Sequence, residues 1–290
     1  MVSPVLSGLA GLVASIASVV LLYPLDQAGV LSQATGEHGG LLYFLLLDDA
    51  FRGLTSQLQA TGFSYFVYFG AYTAFKGRLH APWLPQSLAD LLAAGLAGVL
   101  GVLLSNPLWV ATTRLKIGKA TGTGLWQELG YIMADEGAGA LWNGVFSSLL
   151  LVANPAIQFV IYDMLKRNLF RLPQPKALEA FLAGALAKSC ATFVTYPAQV
   201  IQTRQRVYRH VQGMDDMSLV DCLMDVVVAH GFLALYAGIE AKLLQTVLNS
   251  ALMFMFYEKL LAVLASVHVQ LVSAFRLRRL KRASSRTYAN

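Results

Sequence analysis

The sequence predicts an all-α membrane protein in which six transmembrane helices form three repeats with pseudo-threefold symmetry. Two observations predict it. The 290 residues are 56% apolar and only 13% charged, about half the charged share of an average soluble domain, and the mean hydropathy is +0.56. The second observation is one ordered set of signals that occurs three times. Tyr23-Pro24-Leu25-Asp26, Asn106-Pro107-Leu108-Trp109 and Tyr196-Pro197-Ala198-Gln199 each follow a long apolar stretch, and their prolines lie 83 and 90 residues apart. An aromatic-x-Gly triplet follows each: Phe51-Arg52-Gly53, Trp142-Asn143-Gly144 and Tyr236-Ala237-Gly238. A tyrosine follows each triplet, at Tyr72, Tyr162 and Tyr257. Self-similarity at a fixed period is the mark of an internal repeat.

Each repeat reads as a helix, a polar connection with a short helix, then a second helix. The spans are predicted at 4–33, 55–79, 86–117, 145–169, 176–208 and 239–268. A span needs about 20 predominantly apolar residues, and all six segments are expected to qualify. Backbone polar groups in lipid must be satisfied within the segment, which requires helices. Pro24, Pro107 and Pro197 fall inside the odd-numbered spans, where each removes one hydrogen bond and bends the axis. Small residues near the starts of these spans (Gly8 and Gly11, Gly95 and Gly98, Ala183 to Ala187) allow close helix packing. Met1–Pro4 carries no positive region and the apolar stretch runs on to Leu22, so the first span reads as a retained helix rather than a signal peptide. The domains are repeats at 1–80, 86–170 and 176–268, followed by a basic tail at 269–290. The tail run Arg276-Leu277-Arg278-Arg279-Leu280-Lys281-Arg282 suits anionic lipid headgroups.

This threefold pattern resembles the mitochondrial carrier family, solute carrier family 25, over nearly the whole chain. The family's signature, P-x-[DE]-x-x-[KR], ends each odd helix, and an aromatic-x-Gly precedes each even one. Further stretches resemble its peroxisomal adenine-nucleotide and cofactor branch: Asn106 to Val110 with Thr113-Arg114-Leu115-Lys116, Ala140 to Gly144 through Asn154 to Phe159, and Gly238 to Leu248 ahead of Tyr257-Glu258-Lys259-Leu260. The resemblance implies the carrier fold, a monomer, and exchange of ATP, ADP, AMP, coenzyme A, FAD, FMN or NAD across a peroxisomal membrane. A mitochondrial inner-membrane nucleotide, folate or FAD carrier is the alternative within transport, and a non-transporting receptor or scaffold of the same fold is the alternative outside it.

In the family, the acidic and basic signature positions form salt bridges that close the inner side. This chain departs from that pattern. Asp26 is the only acid; Trp109 and Gln199 occupy the other two acidic positions, and Gly29, Thr112 and Gln202 occupy the basic ones. No inter-helix salt bridge is expected from these positions, and so a weaker inner gate with less strict exchange is expected. The opposite network would draw on Tyr162, Asp163 and Lys166, on Tyr257 and Glu258, and on Lys76 after Tyr72.

The polar residues fall on helical faces. Lys188, Thr192, Thr195, Gln199 and Gln202 follow steps of three and four, as do Ser15, Ser18, Leu22 and Asp26. Lys242, Gln245 and Asn249 share a face, and so do Asn154 and Gln158. Such stripes on apolar spans describe a wet interior. A charge inside a span costs about 2.5–3.5 kcal/mol on insertion scales and normally faces a cavity or a partner, so Lys188 is expected to meet substrate phosphate. Lys242 has the same candidate role, with a local surface role as its rival. Arg114 and Arg204, each seven residues past its proline, read as a mouth lining that draws anions in or as interfacial anchors. Tyr65 and Tyr68 with Asn154 and Gln158 are a candidate slot for a purine ring, since base–aromatic stacking is worth about 1–3 kcal/mol. The family's central contact points fall near Thr61, Leu150–Leu151 and Gln245–Thr246. That set holds no arginine, which argues against a small di- or tricarboxylate.

No catalytic constellation is visible, so the chain does not read as an enzyme. The five histidines show no metal-ligand spacing and Gly122-Thr123-Gly124 is not followed by a phosphate-loop Lys. Cys190 and Cys222 make neither a disulfide framework nor a zinc site and read as packing thiols. No metal, resident cofactor or nucleic acid is expected; the partners are nucleotide-type anions and membrane lipid.

Overall fold

The computed structural model describes residues 4–36, 50–79, 85–167, 177–212, 218–249 and 252. The helices are α1 (Pro4–Thr35), α2 (Leu54–Arg78), α3 (Gln86–Ile117), α4 (Leu125–Tyr131), α5 (Val145–Leu151), α6 (Asn154–Leu165), α7 (Ala177–Gln212) and α8 (Leu219–His230), followed by α9 at 239–249. No strand occurs among the described residues. Tyr257, Glu258 and the basic tail lie outside them. The chain divides into two compact units, 1–22 with 247–290 and 23–246. The cavities and side-chain contacts described below lie in the second.

The three prolines stand inside α1, α3 and α7. The residue before each proline anchors a connection. The Tyr23 hydroxyl donates to the Arg52 carbonyl at 2.6 Å, Asn106 Nδ2 donates to the Asn143 carbonyl at 3.2 Å, and the Tyr196 hydroxyl donates to the Ala237 carbonyl at 2.7 Å. Each acceptor is the middle residue of an aromatic-x-Gly triplet. The proline motif and the triplet therefore recur together because they are bonded to one another.

The triplet glycines are required by geometry. Gly53, Gly144 and Gly238 have φ of 76°, 72° and 77°, a region that disfavours any residue with a Cβ. A Cβ on Gly144 would lie 3.1 Å from the Gln202 carbonyl, and one on Gly238 would lie 2.8 Å from Ser32 Cβ and 3.1 Å from the Gly29 carbonyl. Each triplet thus touches the kinked helix of the next repeat.

The connections also match one another. Gly137 and Gly231 share one conformation, φ 83° and 80° with ψ near 166°, and each opens a 3-10 turn, Ala138–Trp142 and Phe232–Tyr236. A π-helical turn, Ile132–Glu136, leads from α4 into the first of these. Beneath α3, Leu125, Ile132, Ala140 and Leu141 bury against Leu108 and Ala111. Beneath α7, Cys222, Val226, Ala234 and Leu235 bury against Ile201.

Among the described residues, Leu88–Ile117 and Ala138–Leu165 are long and apolar enough to cross a membrane, and Leu219–His230 with Phe232–Asn249 passes only as a pair bent by 116°. α7 carries Lys188, Thr192, Thr195, Gln199 and Gln202 on one face, which lowers its hydropathy. The opposite faces carry exposed Leu91, Leu103, Leu104, Phe159, Val160 and Val194, as lipid-facing surfaces do.

Candidate substrate cavity and gate

Two cavities meet inside the second unit. The smaller holds about 330 Å³ and is lined from all three kinked helices. Counting from each proline, it takes the residues two on (Asp26, Trp109, Gln199), five on (Gly29, Thr112, Gln202) and nine on (Gln33, Lys116, Arg206). The larger, of about 890 Å³, runs along an apolar face of α3 beside Tyr68 and Val152. Trp109, Gln202 and Arg206 line both.

Among the described residues no signature position pairs ionically with another, yet an inter-helix ion pair forms beside them. Asp26 forms an ion pair with Lys116 of α3, and Lys242 of α9 lies 3.3 Å from its Oδ1. Gln245 Nε2 donates to Asp26 Oδ1 at 2.9 Å, and Lys242 Nζ donates to Gln245 Oε1 at 3.0 Å. The signature positions themselves supply no base. The cation stands one helical turn further on, nine residues past Pro107 instead of five, which is why the signature alone did not find Lys116. Lys242 and Gln245, expected as substrate contacts, are engaged at the gate in this structure. Thr246 back-bonds to the Lys242 carbonyl at 2.7 Å.

Arg114 and Arg204, expected as a mouth lining or as interfacial anchors, are instead turned into helix contacts. Both are buried. Arg114 forms a two-pronged pair with Glu136, whose Oε2 is 2.9 Å from Nη2, and its Nε donates to the Arg206 carbonyl at 3.2 Å. Arg204 Nε donates to the Gln33 carbonyl at 3.1 Å. The equivalent residue in α1 is Leu31, which cannot donate. Gln27 takes its place, giving its Nε2 proton to the Lys116 carbonyl at 2.6 Å. One such side-chain bond thus runs from each kinked helix to the next, three in all.

Above the gate, a hydrogen-bond chain links α7 to α6. Lys188 Nζ donates to Asn154 Oδ1 at 2.9 Å, Asn154 Nδ2 to Thr195 Oγ1 at 2.7 Å, and Gln199 Nε2 to Thr195 Oγ1 at 3.2 Å. Asn154 opens α6 where Pro155 interrupts the run from α5, which turns its amide toward Lys188. Lys188 forms no ion pair among the described residues. Trp109 Nε1 donates to Ser64 Oγ at 2.9 Å, fixing its ring.

The purine slot expected from Tyr65, Tyr68, Asn154 and Gln158 does not assemble. Tyr65 is 60% exposed and packs on Phe69, 6.2 Å between ring centres. Tyr68 lines the larger cavity, and the Asn154 side chain is spent on Thr195 and Lys188. Thr61 and Gln158 are half-buried. Helical stepping placed these residues on faces but could not say which faces meet. On the opposite side, Asp163 pairs within its own helix region with Arg167 at 2.8 Å rather than with Lys166, and Lys76 pairs with Asp90 at 3.0 Å. Tyr162 is half-buried. Among the described residues, the ion pair that joins two kinked helices, Asp26 with Lys116, lies at the proline side.

A helical membrane protein with repeated kinked helices, a polar cavity and a charged gate on one side is built as a solute carrier. A family model described as mitochondrial carrier protein matches residues 85–172 and 173–267, and the chain belongs to that family. It is similar to "Peroxisomal membrane protein PMP34" of Mus musculus, 38% identical over 283 residues, 87% of this chain and 91% of that protein. It is 32% identical to "Peroxisomal adenine nucleotide carrier 1" of Arabidopsis thaliana, over 87% of this chain and 88% of the relative. It is 26% identical to "Peroxisomal nicotinamide adenine dinucleotide carrier" of the same plant, over 88% and 94%.

Proposed function

We propose that the chain is a multi-pass carrier of the peroxisomal membrane that exchanges adenine nucleotides and related cofactors (ATP, ADP, AMP, coenzyme A, FAD, NAD) by alternating access. The names of its relatives support the organelle and the solute class. The observation that carries the reading is Lys188: a cation within a membrane-spanning helix, held by the neutral Asn154 amide and by no acid among the described residues. Such a charge needs an anion, and a phosphate supplies one. Binding drives exchange when the solute favours the occluded state over both open ones.

The test is uptake into proteoliposomes loaded with AMP and presented with labelled ATP, coenzyme A, FAD or citrate. The expected result is uptake of the nucleotide-type solutes and not of citrate, cut roughly ten-fold or more in Lys188→Ala, since a hydrogen bond to a charged group is worth about 1.5–3 kcal/mol. Folded protein that takes up none of them overturns the reading.

A further inference from the structure

We propose that the smaller cavity is an anion subsite that takes the terminal phosphates of a nucleoside di- or triphosphate, with Arg206, Lys116 and Lys242 as its cations. The inference rests on the nucleotide reading above and adds to it where the polyphosphate tail goes.

Three observations carry it. First, the cavity wall holds three cations against one carboxylate, Asp26, a formal surplus of two positive charges. Asp26 already serves both lysines. Second, Arg206 is buried with no acid paired to it among the described residues. Its Nη2 reaches Ser148 Oγ at 3.2 Å and Asn106 Oδ1 at 3.5 Å, and its Nε has no hydrogen-bond partner. Only 9% of the residue is exposed. A guanidinium does not lose its proton, so this burial is costly until an anion arrives. Arg114 shows the contrast, because Glu136 neutralises it. Third, the three cations come from three helices, α3, α7 and α9. One carboxylate spans a single fork, whereas a polyphosphate carries anionic oxygens in several directions and can meet all three.

The site lies against the gate, which gives the bound phosphates a second effect. Oxygens that engage Lys116 and Lys242 compete with Asp26 for them. A long phosphate tail therefore replaces the ion pairs that hold α1 to α3 and α9.

Inorganic tripolyphosphate is the probe, with the purified full-length carrier. Tripolyphosphate is expected to raise the melting temperature of the wild type and to compete with ATP uptake. Arg206→Gln is expected to weaken that binding roughly ten-fold or more, Arg206→Lys to keep most of it, and the ratio of ATP to AMP affinity to fall in Arg206→Gln. If Arg206→Gln does not fold, Lys242→Gln reads the same ratio. Wild-type protein that takes up ATP yet does not respond to tripolyphosphate overturns the subsite and leaves the carrier reading standing. Equal losses for ATP and AMP in Arg206→Gln also overturn it, because a packing defect acts on both alike. Tripolyphosphate stabilisation without uptake of any nucleotide defeats the transport reading while supporting the anion subsite.

Discussion

Arg114 gives its Nε proton to the carbonyl oxygen of Arg206 at 3.2 Å, and Arg204 does the same to Gln33 at 3.1 Å. Both bonds run from a residue seven past one proline to a residue nine past another. The third bond of the set comes from Gln27, a different residue that reaches the equivalent acceptor. Charge and backbone geometry are thus fixed together at the closed end: the residues that would meet phosphate are held through their own carbonyls.

Asp26→Asn leaves Lys116 and Lys242 without a carboxylate. Breaking a buried pair by removing one partner costs about 3–5 kcal/mol. The expected outcome is a lower melting temperature in detergent and faster leakage of preloaded AMP from vesicles. Adding Lys116→Met should restore part of the loss; a double variant no better than the sum of the singles counts against the pair as a gate contact.

Gly144→Ala places a side chain at φ 72° and 3.1 Å from the Gln202 carbonyl. Left-handed backbone costs a residue with a Cβ about 1–2 kcal/mol, and the contact adds to it. A clear fall in melting temperature is expected, larger than that of Gly130→Ala, where a Cβ meets nothing within 4 Å.

Tyr196→Phe removes the hydroxyl that donates to Ala237 at 2.7 Å and accepts from Gln33 at 3.2 Å. Leaving a buried carbonyl unsatisfied costs about 1–3 kcal/mol. Unchanged thermal stability would show that the bond between proline motif and triplet is dispensable.

Burial pushes the Cys222 thiol up from its ordinary 9.0 to about 11. The unfolded chain releases this proton first, so between those values unfolding sheds a proton and is favoured by rising pH. Stability is fully present below pH 9 and should fall from 9 towards 11, and Cys222→Ala should flatten that slope. Maleimide should leave Cys222 unmodified at neutral pH, because the thiolate is the reactive form.

Much of this architecture is legible in the sequence. The prolines, the triplet glycines and the helical stepping of polar residues are local signals, and each marks a backbone event: a bend, a left-handed turn, a wet face. The helices Pro4–Thr35, Leu54–Arg78, Gln86–Ile117 and Ala177–Gln212 lie close to their expected spans, the fourth span is broken between Leu151 and Asn154, and residues 253–268 of the sixth lie outside the described residues. The gate was not legible in the same way. Lys116 and Arg206 sit one turn beyond the signature, and which carboxylate meets which cation depends on distances across helices. The purine slot failed for the same reason: Tyr65 and Asn154 each lie on a polar or aromatic face, yet Asn154 is turned by the Pro155 break toward Lys188. Arg114 and Arg204 look like exposed basic residues in sequence because the partner of the first, Glu136, belongs to a connection whose fold is set by Gly137.

The contacts around the closed end are unlike one another. Between α1 and α3 an ion pair, Asp26 with Lys116, stands beside the Gln27 bond. Between α7 and α1, Thr203 Oγ1 gives its proton to Gln33 Oε1 at 2.8 Å, and Gln33 Nε2 gives its own to the Tyr196 hydroxyl at 3.2 Å. An anion inside the cavity competes for the first and not for the second. The side of the cavity lined by Lys116 is thus the ionic one, and the side lined by Gln33 is held by neutral hydrogen bonds.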